Sequence, residues 1–170
     1  MAEFVFRQAT VADIADIMPI IIQARDRMLA DGKRQWTREY PAQRDIEADI
    51  GRGCGYVLCM CGAVVAYGAI FVGGEPAYNE ITGGGWLSDR PYVVLHRLAV
   101  AQKTQRHGVA TLFMRKVEHR AVQQGVTSFR IDTNYDNDAM LHILGRQGFT
   151  YCGTVTYPPD KVRMAFEKLL

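Results

Sequence analysis

A helix start preceded by polar and basic residues is the segment of this sequence whose residue types best suit the binding of an anion. It runs Gln105-Arg106-His107-Gly108-Val109-Ala110, with Lys103 shortly before it. A helix N-terminus presents unpaired backbone N–H groups and a partial positive charge, which together attract anions. Because Gly108 has no side chain and Ala110 only a methyl group, a diphosphate could approach this backbone closely. The alternative is that Gly108 is merely a small residue at an ordinary helix start, since a single glycine is a weak signal.

Two elements must position this segment. The run from Tyr92 to Val100 is apolar on both faces, which is typical of a central strand that is covered on both sides of a sheet. Residues 107–124 are predicted to form the helix, which Gly125 closes. The segment therefore lies between a buried strand and a helix, where its backbone would be held in place.

The rest of the chain alternates between strand-like and helix-like stretches. Pro19 lies within the first helix and is a candidate point for a kink or a break. Residues 73–90 are rich in Gly, Pro, Asn and Asp and are predicted to be loop. We predict strands at 4–7, 56–60, 63–71 and 129–133, helices at 11–30, 43–51 and 137–147, and a C-terminal hairpin around Pro158-Pro159-Asp160. Without a repeat or a linker, this alternation predicts one α/β domain over residues 1–170 around a single sheet.

Composition argues against several kinds of partner. The chain of 170 residues has 22% charged residues and a net charge of +2, with no run of Lys and Arg, so a nucleic-acid partner is not expected. No apolar stretch reaches the roughly 18 residues needed to span a membrane. The N-terminus lacks the pattern of a signal peptide, so a cytoplasmic location is the default expectation. The cysteines Cys54, Cys59, Cys61 and Cys152 lack metal-ligand spacing, so we expect no metal and predict buried or half-buried reduced thiols.

Two motifs at their mutual distance resemble the GNAT superfamily of N-acetyltransferases. Gln105-x-x-Gly108-x-Ala110, which follows a strand ending Leu-Ala-Val, resembles the Gln/Arg-x-x-Gly-x-Gly/Ala signature of that superfamily. Asn137-x-x-Met140, followed by Gly148-Phe149, resembles its Asn-containing helix that ends in Gly-Phe. The order of elements from residue 3 to 170 also fits, so the resemblance covers nearly the whole chain.

The resemblance implies a fold and a co-substrate, acetyl-coenzyme A (acetyl-CoA). The fold would be a GNAT-type α/β fold with a single central sheet, mixed but mostly antiparallel, flanked by helices. Its fourth and fifth strands would splay apart, and the pantetheine arm would lie in the gap. The arm would form hydrogen bonds with the backbone of Leu98, Ala99 and Val100, like an added strand. Asn137 would contact the pantetheine or a nearby water, with a helix N-cap as the alternative role. The pyrophosphate would lie against Gln105, Arg106, His107, Gly108, Val109, Ala110 and Thr111.

His96 is the candidate catalytic residue. An amine must be neutral to attack a thioester, so a group must accept a proton directly or through water. An imidazole is suited to this near neutral pH, and regular strand alternation would place His96 on the same face as Leu98. The run from Leu95 to Val100 also resembles the strand of arylalkylamine acetyltransferases in which a histidine is implicated in proton removal. A purely structural histidine is the alternative.

Three further residues bear on the acceptor side and on the departing thiolate. Many members of the superfamily carry a tyrosine seven residues after the helix asparagine as general acid, but this sequence has Leu144 there. The residue that protonates the thiolate is therefore open, and coenzyme A is a tolerable leaving group without one. Trp36 and Tyr40 follow the first helix where the superfamily usually builds its acceptor pocket. They would either line an amine site or pack as part of a lid.

These features lead to one leading function and two alternatives. The leading hypothesis is acetyl transfer to a primary amine of a small molecule, by direct attack on the thioester. The first alternative is acetylation of a protein N-terminus or lysine, which would need a more open groove. The second is a non-catalytic acyl-CoA-binding module, which the missing tyrosine keeps open. Members of the superfamily are often dimers, so a homodimer remains an option.

Overall fold

A mixed sheet of seven strands is the frame of the structure, a computed structural model that describes residues 3–170. In chain order the strands are β1 (Phe4–Gln8), β2 (Gly55–Met60), β3 (Ala63–Val72), β4 (Tyr92–Val100), β5 (Ser128–Thr133), β6 (Thr150–Tyr157) and β7 (Lys161–Leu169). The helices of the described residues are α1 (Ile14–Ala30), α2 (Gln43–Gly51), α3 (Val109–Gln123) and α4 (Asp138–Arg146). The strands are ordered β1-β2-β3-β4-β5-β7-β6, and the sheet is open.

Strand pairing confirms the predicted sheet type. β1 with β2, β2 with β3, β5 with β7 and β6 with β7 are antiparallel, whereas β4 and β5 are parallel. β4 lies fourth of the seven strands, as its apolar character on both faces predicted. Its register with β5 runs from Tyr92 opposite Ser128 to Val94 opposite Arg130, although β4 itself continues to Val100. This short parallel ladder agrees with the predicted splayed pair.

The first helix is a single element despite its proline. A 3₁₀ turn at Val11–Asp13 leads into α1, which continues through Pro19 to Ala30. A proline within a helix removes one backbone hydrogen bond, but tertiary packing dominates helix stability in a folded protein. Ile17 and Ile21 are fully buried on one face of α1, and this packing accounts for the intact helix.

The turn between β2 and β3 has the predicted residues, and it explains why the predicted burial of Cys61 is wrong. Cys61 and Gly62 have φ angles of 49° and 83°, the two positive values that a tight two-residue hairpin turn needs. The four cysteines are free thiols. Cys61 is exposed because it lies in the turn and not in the strand, so the prediction that all four are buried or half-buried is wrong there.

The chain divides into two compact units. One comprises the residues up to Ile70 together with Leu95–Lys116, and the other comprises Phe71–Val94 and Val117–Leu170. The core of the first unit includes Ile17, Ile21, Ile46, Tyr67 and Ala99. The core of the second includes Tyr78, Val94, Val155 and Ala165. The prediction of one domain over residues 1–170 stays a prediction.

The segment 73–90 of the second unit is more ordered than the predicted loop. It contains a 3₁₀ turn at Pro76–Asn79, and Thr82 forms an isolated bridge with Thr154. The indole Nε1 of Trp86 donates a hydrogen bond to the Tyr78 carbonyl at 2.9 Å. Its glycines and proline mark turns, but the buried Tyr78 and the half-buried Trp86 fix the segment in place.

None of the helices within residues 3–170 has the length and apolar character that a membrane span requires.

Candidate active site

The path from β4 to α3 is fixed by hydrogen bonds at the end of the strand. The Ala101 N–H donates to the Val65 carbonyl at 2.8 Å, and Ala101 belongs to the core of the first unit. A 3₁₀ turn follows at Gln102–Thr104, and the Thr104 hydroxyl donates to the Ala101 carbonyl at 3.0 Å. The Gln105 side chain reaches back to the Val100 carbonyl at 3.4 Å. The loop therefore leaves the strand in a defined direction.

The helix start itself is open. Helix α3 begins at Val109, two residues later than predicted, because Gly108 has a φ of +74° and stands outside the helix. The Gly108 carbonyl accepts the hydrogen bond of the Leu112 N–H at 2.9 Å, so the N–H groups of residues 109–111 precede the first helical bond. Among residues 3–170, no heavy atom outside Gly108 and its two chain neighbours lies within 4 Å of a Cβ built on Gly108, which is exposed.

Charge and shape at this helix start fit a phosphate-bearing ligand. Lys103, Arg106 and His107 are exposed beside Gly108. Arg106 has a φ of +64°, so both Arg106 and Gly108 have positive φ in the turn that precedes α3. Turns that mix left-handed and right-handed residues direct successive backbone N–H groups to one side, which favours anions. Val109 is buried and holds the helix start to the core. The residues present therefore fit the pyrophosphate of the predicted co-substrate.

The middle of β4 departs from the regular strand that the sequence predicted. Arg97 has a φ of +55°, which an L-residue adopts rarely. Alternation of side chains between the two faces of a strand assumes extended backbone at every residue. The argument that His96 and Leu98 share a face was based on that regularity and is wrong in its premise. His96, Leu98 and Val100 are all half-buried, and Ala99 is buried.

A buried carboxylate holds this irregular arginine. Asp49 of α2 is 1% exposed, and its two oxygens accept hydrogen bonds from Arg97 Nε at 2.8 Å and from Arg97 Nη2 at 2.5 Å. The Tyr67 hydroxyl donates to Asp49 Oδ2 at 2.7 Å. Arg97 Nη1 donates to the Tyr40 hydroxyl oxygen at 2.9 Å. We call these four residues the Asp49 network.

The electrostatics of the Asp49 network raise the pKa values of two of its members, Tyr67 and Arg97. Burial, reinforced by the neighbouring Asp49 carboxylate, raises the pKa of Tyr67 far above its ordinary value, so the phenol stays protonated. Burial alone lowers the pKa of Arg97, but hydrogen bonds to Asp49 and the proximity of Tyr40 more than offset it, and the pKa is raised. At neutral pH Tyr67 is therefore a neutral phenol and Arg97 a charged guanidinium.

Sequence reasoning missed the Asp49 network, although one signal for it was present. Asp49 lies three residues after Ile46, and residues at this spacing share one face of a helix. Ile46 is fully buried, so an acidic residue on its face requires a partner. The identity of that partner was not readable, because Arg97 is 48 residues further along the chain.

Trp36 and Tyr40, the predicted acceptor-site residues, have different surroundings. Trp36 is 6% exposed and belongs to the core of the first unit, which supports the packing alternative for it. Tyr40 is 36% exposed and is held at its hydroxyl by Arg97. Of the two, only Tyr40 presents substantial surface.

Asn137 and Leu144 lie on α4 of the second unit. Asn137 is the N-cap, since its side-chain oxygen accepts from the Met140 N–H at 3.3 Å and its amide donates to the Thr133 hydroxyl at 3.0 Å. The capping role is thus confirmed, and the cofactor contact stays a prediction. Leu144 is fully buried, so this helix position presents no side chain to solvent.

No cluster of three or more His, Cys, Asp or Glu side chains arranged to hold a metal ion occurs within residues 3–170.

Comparison with known proteins gives the family. The model of the Acetyltransferase (GNAT) family matches residues 22–149. A GNAT-family acetyltransferase from Streptococcus agalactiae 2603 superposes with a TM-score of 0.90 and 34% sequence identity, over 98% of this chain and 95% of that chain. A search of curated protein sequences finds no match.

More distant structures share the fold. The PaiA N-acetyltransferase of Thermoplasma acidophilum, whose structure is a complex with coenzyme A, has a TM-score of 0.73 and 12% identity over 99% of both chains. A ribosomal-protein-alanine N-acetyltransferase from Brucella melitensis has a TM-score of 0.70 and 20% identity, over 98% of this chain and 99% of that chain. At these identities the likeness concerns the fold alone.

An open, seven-stranded mixed sheet with an exposed, basic helix start after its central strand defines the class as an acetyltransferase fold. The chain belongs to the GNAT family of acetyltransferases, and membership implies acyltransferase activity. The resemblance predicted from the two motifs is thereby confirmed at the level of the family.

Proposed function

We propose that this chain is an acetyl-CoA-dependent N-acetyltransferase that acts on a primary amine of a small molecule. The observation that carries the proposal is the helix start at Gly108. It is exposed, the described residues leave open space around the Cβ position of Gly108, and Lys103 and Arg106 lie shortly before it. An anion with two or more phosphates is the ligand class that such a helix start suits.

The chain's own residues would divide the binding of acetyl-CoA between them. Backbone N–H groups at Gly108, Val109, Ala110 and Thr111 would bind the pyrophosphate, with Arg106 and His107 at its edge. The backbone of Leu98, Ala99 and Val100 would bind the pantetheine arm, as in the family that the motifs resemble. Gln105 supports this arrangement, because its side-chain amide donates a hydrogen bond to the Val100 carbonyl and so connects the loop to the end of β4. Asn137 is proposed as a further contact of the arm, in addition to its capping role.

The chemistry requires proton removal from the acceptor amine. Acetyl-CoA supplies an activated acetyl thioester. A neutral amine nitrogen would attack the carbonyl carbon, so that a C–N bond forms, the C–S bond breaks and the thiolate departs. His96 would take the proton that the nitrogen loses, directly or through one water, and a solvent proton would neutralise the thiolate. With Leu144 buried, no proton donor is proposed at that position.

The acceptor is proposed to be a small molecule and not a polypeptide. Trp36 is anchored in the core of the first unit, and the Tyr40 hydroxyl is held by Arg97. A segment fixed at both positions favours a shaped pocket over the open groove that a peptide substrate needs. A cytoplasmic location and a single domain are part of the proposal, and a homodimer is the assembly that the superfamily resemblance suggests.

The decisive test measures thiol release from acetyl-CoA with a panel of primary amines. The panel would include small diamines, arylalkylamines and amino sugars, together with peptides that carry a free N-terminus or a lysine. We expect amine-dependent release of coenzyme A with at least one small amine, and mass spectrometry should find the acetylated product. Calorimetry with coenzyme A would be run in parallel, so that binding is measured apart from turnover.

Each alternative predicts its own outcome. Turnover with peptides but not with small amines would support a protein acetyltransferase and contradict the small-molecule proposal. Coenzyme A binding without turnover on any amine would support a non-catalytic acyl-CoA-binding module. A folded protein that does not bind coenzyme A would contradict the assignment of the helix start as a pyrophosphate site.

A further inference from the structure

A buried ion pair supports the strand that is proposed to bind acetyl-CoA. Asp49 on α2 binds Arg97 through two hydrogen bonds, and Arg97 stands immediately before Leu98 of β4. We propose that Asp49 is a positioning residue, which acts through Arg97 on the backbone of Leu98–Val100 and on the hydroxyl of Tyr40. The inference rests on the proposed function and adds a residue of α2 to that site.

The backbone of Arg97 gives the first reason. With a φ of +55°, Arg97 adopts a conformation in which the Cβ of an L-residue crowds the following carbonyl. Such a conformation persists when surrounding contacts over-determine it. The two bonds to Asp49 fix the plane of the guanidinium, and Tyr40 occupies its remaining terminal nitrogen. The side chain is thus anchored at both of its terminal nitrogens.

The position of Asp49 gives the second reason. At 1% exposure the carboxylate is shielded from water, and its partners are a bidentate arginine and the Tyr67 hydroxyl. Bidentate pairs of this type are geometrically specific, and removal of one partner leaves a buried charge uncompensated. Asp49 therefore holds Arg97 in one place, and a shift of either residue would be transmitted to Leu98 along the chain.

Tyr40 gives the third reason, because it is the exposed member of the Asp49 network. Its oxygen accepts from Arg97 Nη1, which directs its own hydrogen away from the guanidinium. At 36% exposure the phenol can donate that hydrogen to a ligand. Tyr40 is thus a fixed hydrogen-bond donor toward the acceptor substrate, and it depends on Arg97 for its orientation.

Three variants separate these effects. Asp49→Asn should weaken coenzyme A binding in calorimetry by about tenfold, or about 1.4 kcal/mol. Asp49→Asn/Arg97→Gly leaves no buried charge unpaired and gives residue 97 a glycine, which adopts positive φ freely. Its coenzyme A affinity should return to within about threefold of the wild type, whereas its KM for the amine stays raised about tenfold.

Tyr40→Phe should raise the amine KM and leave coenzyme A affinity unchanged.

The chain offers a matched control in a second bidentate pair, Arg7 with Asp13, joined by two hydrogen bonds of 2.8 Å. Asp13→Asn should lower the melting temperature and leave coenzyme A affinity and the amine KM unchanged. Loss of coenzyme A affinity in Asp13→Asn equal to that in Asp49→Asn would show a general stability effect and overturn the inference.

Two further outcomes would also overturn it. One is Asp49→Asn with wild-type coenzyme A affinity and amine KM. The other is a folded double variant that still binds coenzyme A about tenfold more weakly; this variant decides the matter where Asp49→Asn alone fails to fold. A wild-type protein that does not bind coenzyme A would instead contradict the proposed function, so the two failures are distinguishable.

Discussion

Gly108 combines two properties that a substitution can separate. Its φ of +74° favours glycine, and its surroundings leave room for a ligand. Gly108→Ala would introduce backbone strain with little bulk. Gly108→Glu would add the same strain together with a negative charge at the proposed pyrophosphate site. The difference between the two variants therefore reports on bulk and negative charge at the ligand and not on backbone strain.

We expect Gly108→Glu to weaken coenzyme A binding by more than about 3 kcal/mol, because the side chain would place both bulk and an unpaired negative charge against the pyrophosphate. Isothermal calorimetry measures this loss. The matched control is Gly125→Glu, since Gly125 also has a φ of +74° and open space around its Cβ position, at the opposite end of α3. Equal affinity in a folded Gly108→Glu variant would contradict the site.

His96 should affect rate and not cofactor affinity. His96→Gln keeps a similar size and hydrogen-bonding capacity but cannot take up a proton. We expect the maximal rate at pH 7 to fall about tenfold or more, with coenzyme A affinity nearly unchanged. The loss should shrink at high pH, where more of the amine is already neutral.

The control for His96 is His119→Gln, at an exposed position on α3. It should leave the rate unchanged across the pH range. Wild-type turnover of His96→Gln between about pH 6 and 9 would assign a structural role to His96 and leave proton removal to water or to another group.

Local sequence patterns predicted the position of Gly108 at a helix start, whereas they did not predict the Asp49 network. The exposed glycine has a local signature, since it follows a strand and precedes a helix within a few residues. Arg97 at φ +55° has none, because arginine is not a residue type that favours positive φ. Its conformation depends on Asp49, 48 residues away, and such tertiary contacts are invisible to local patterns. The choice between the two roles predicted for Trp36 was not possible from the sequence for the same reason.

Elements were easier to predict than their ends. The strand β4 was predicted at its observed bounds of Tyr92–Val100, because a long apolar run between polar segments is unambiguous. Helix α3 was predicted to start at residue 107 and starts at Val109. The difference arises because Gly108 takes a left-handed conformation, which depends on turn geometry and not on hydrophobic periodicity. The two extra residues belong to the turn that forms the proposed anion site.

The start of α1 shows how one carboxylate stabilises an element. Asp13 accepts hydrogen bonds from Arg7, from the Thr10 N–H at 2.7 Å and from the Thr10 hydroxyl at 3.1 Å. The Arg7 hydrogen bonds, despite the opposing effect of burial, lower the pKa of Asp13 from 3.8 to about 2. A carboxylate with a lowered pKa in the folded state stabilises the protein above its unfolded pKa, and the stabilisation is lost as pH falls through the folded value.

We therefore expect Asp13→Asn to lower the free energy of unfolding at pH 7 by about 1–2 kcal/mol, less than full linkage because the Arg7 side chain is 42% exposed and screened by water. Urea denaturation at pH 7, 4, 3 and 2.5 measures the difference from the wild type. It should be constant above about pH 4 and shrink toward pH 2. A difference independent of pH throughout this window would assign the loss to packing.

At the scale of the whole molecule, the boundaries between the two compact units fall inside secondary-structure elements. They divide β3 after Ile70, β4 after Val94 and α3 after Lys116. Domain boundaries normally lie in exposed linkers that few contacts cross. Separate unfolding of either unit would interrupt two strands and a helix. From the continuity of the chain through these elements we propose a single folding unit, which is the prediction that the sequence made and that a measurement must test.

We accordingly expect one cooperative thermal transition for the full chain, with equal calorimetric and van 't Hoff enthalpies in scanning calorimetry. Coenzyme A at about 100 times its Kd should raise the whole transition by about 5–10 °C, since ligand binding adds about 2.7 kcal/mol to the folded state. Two resolved transitions, or a shift confined to one of them, would show that the units unfold independently.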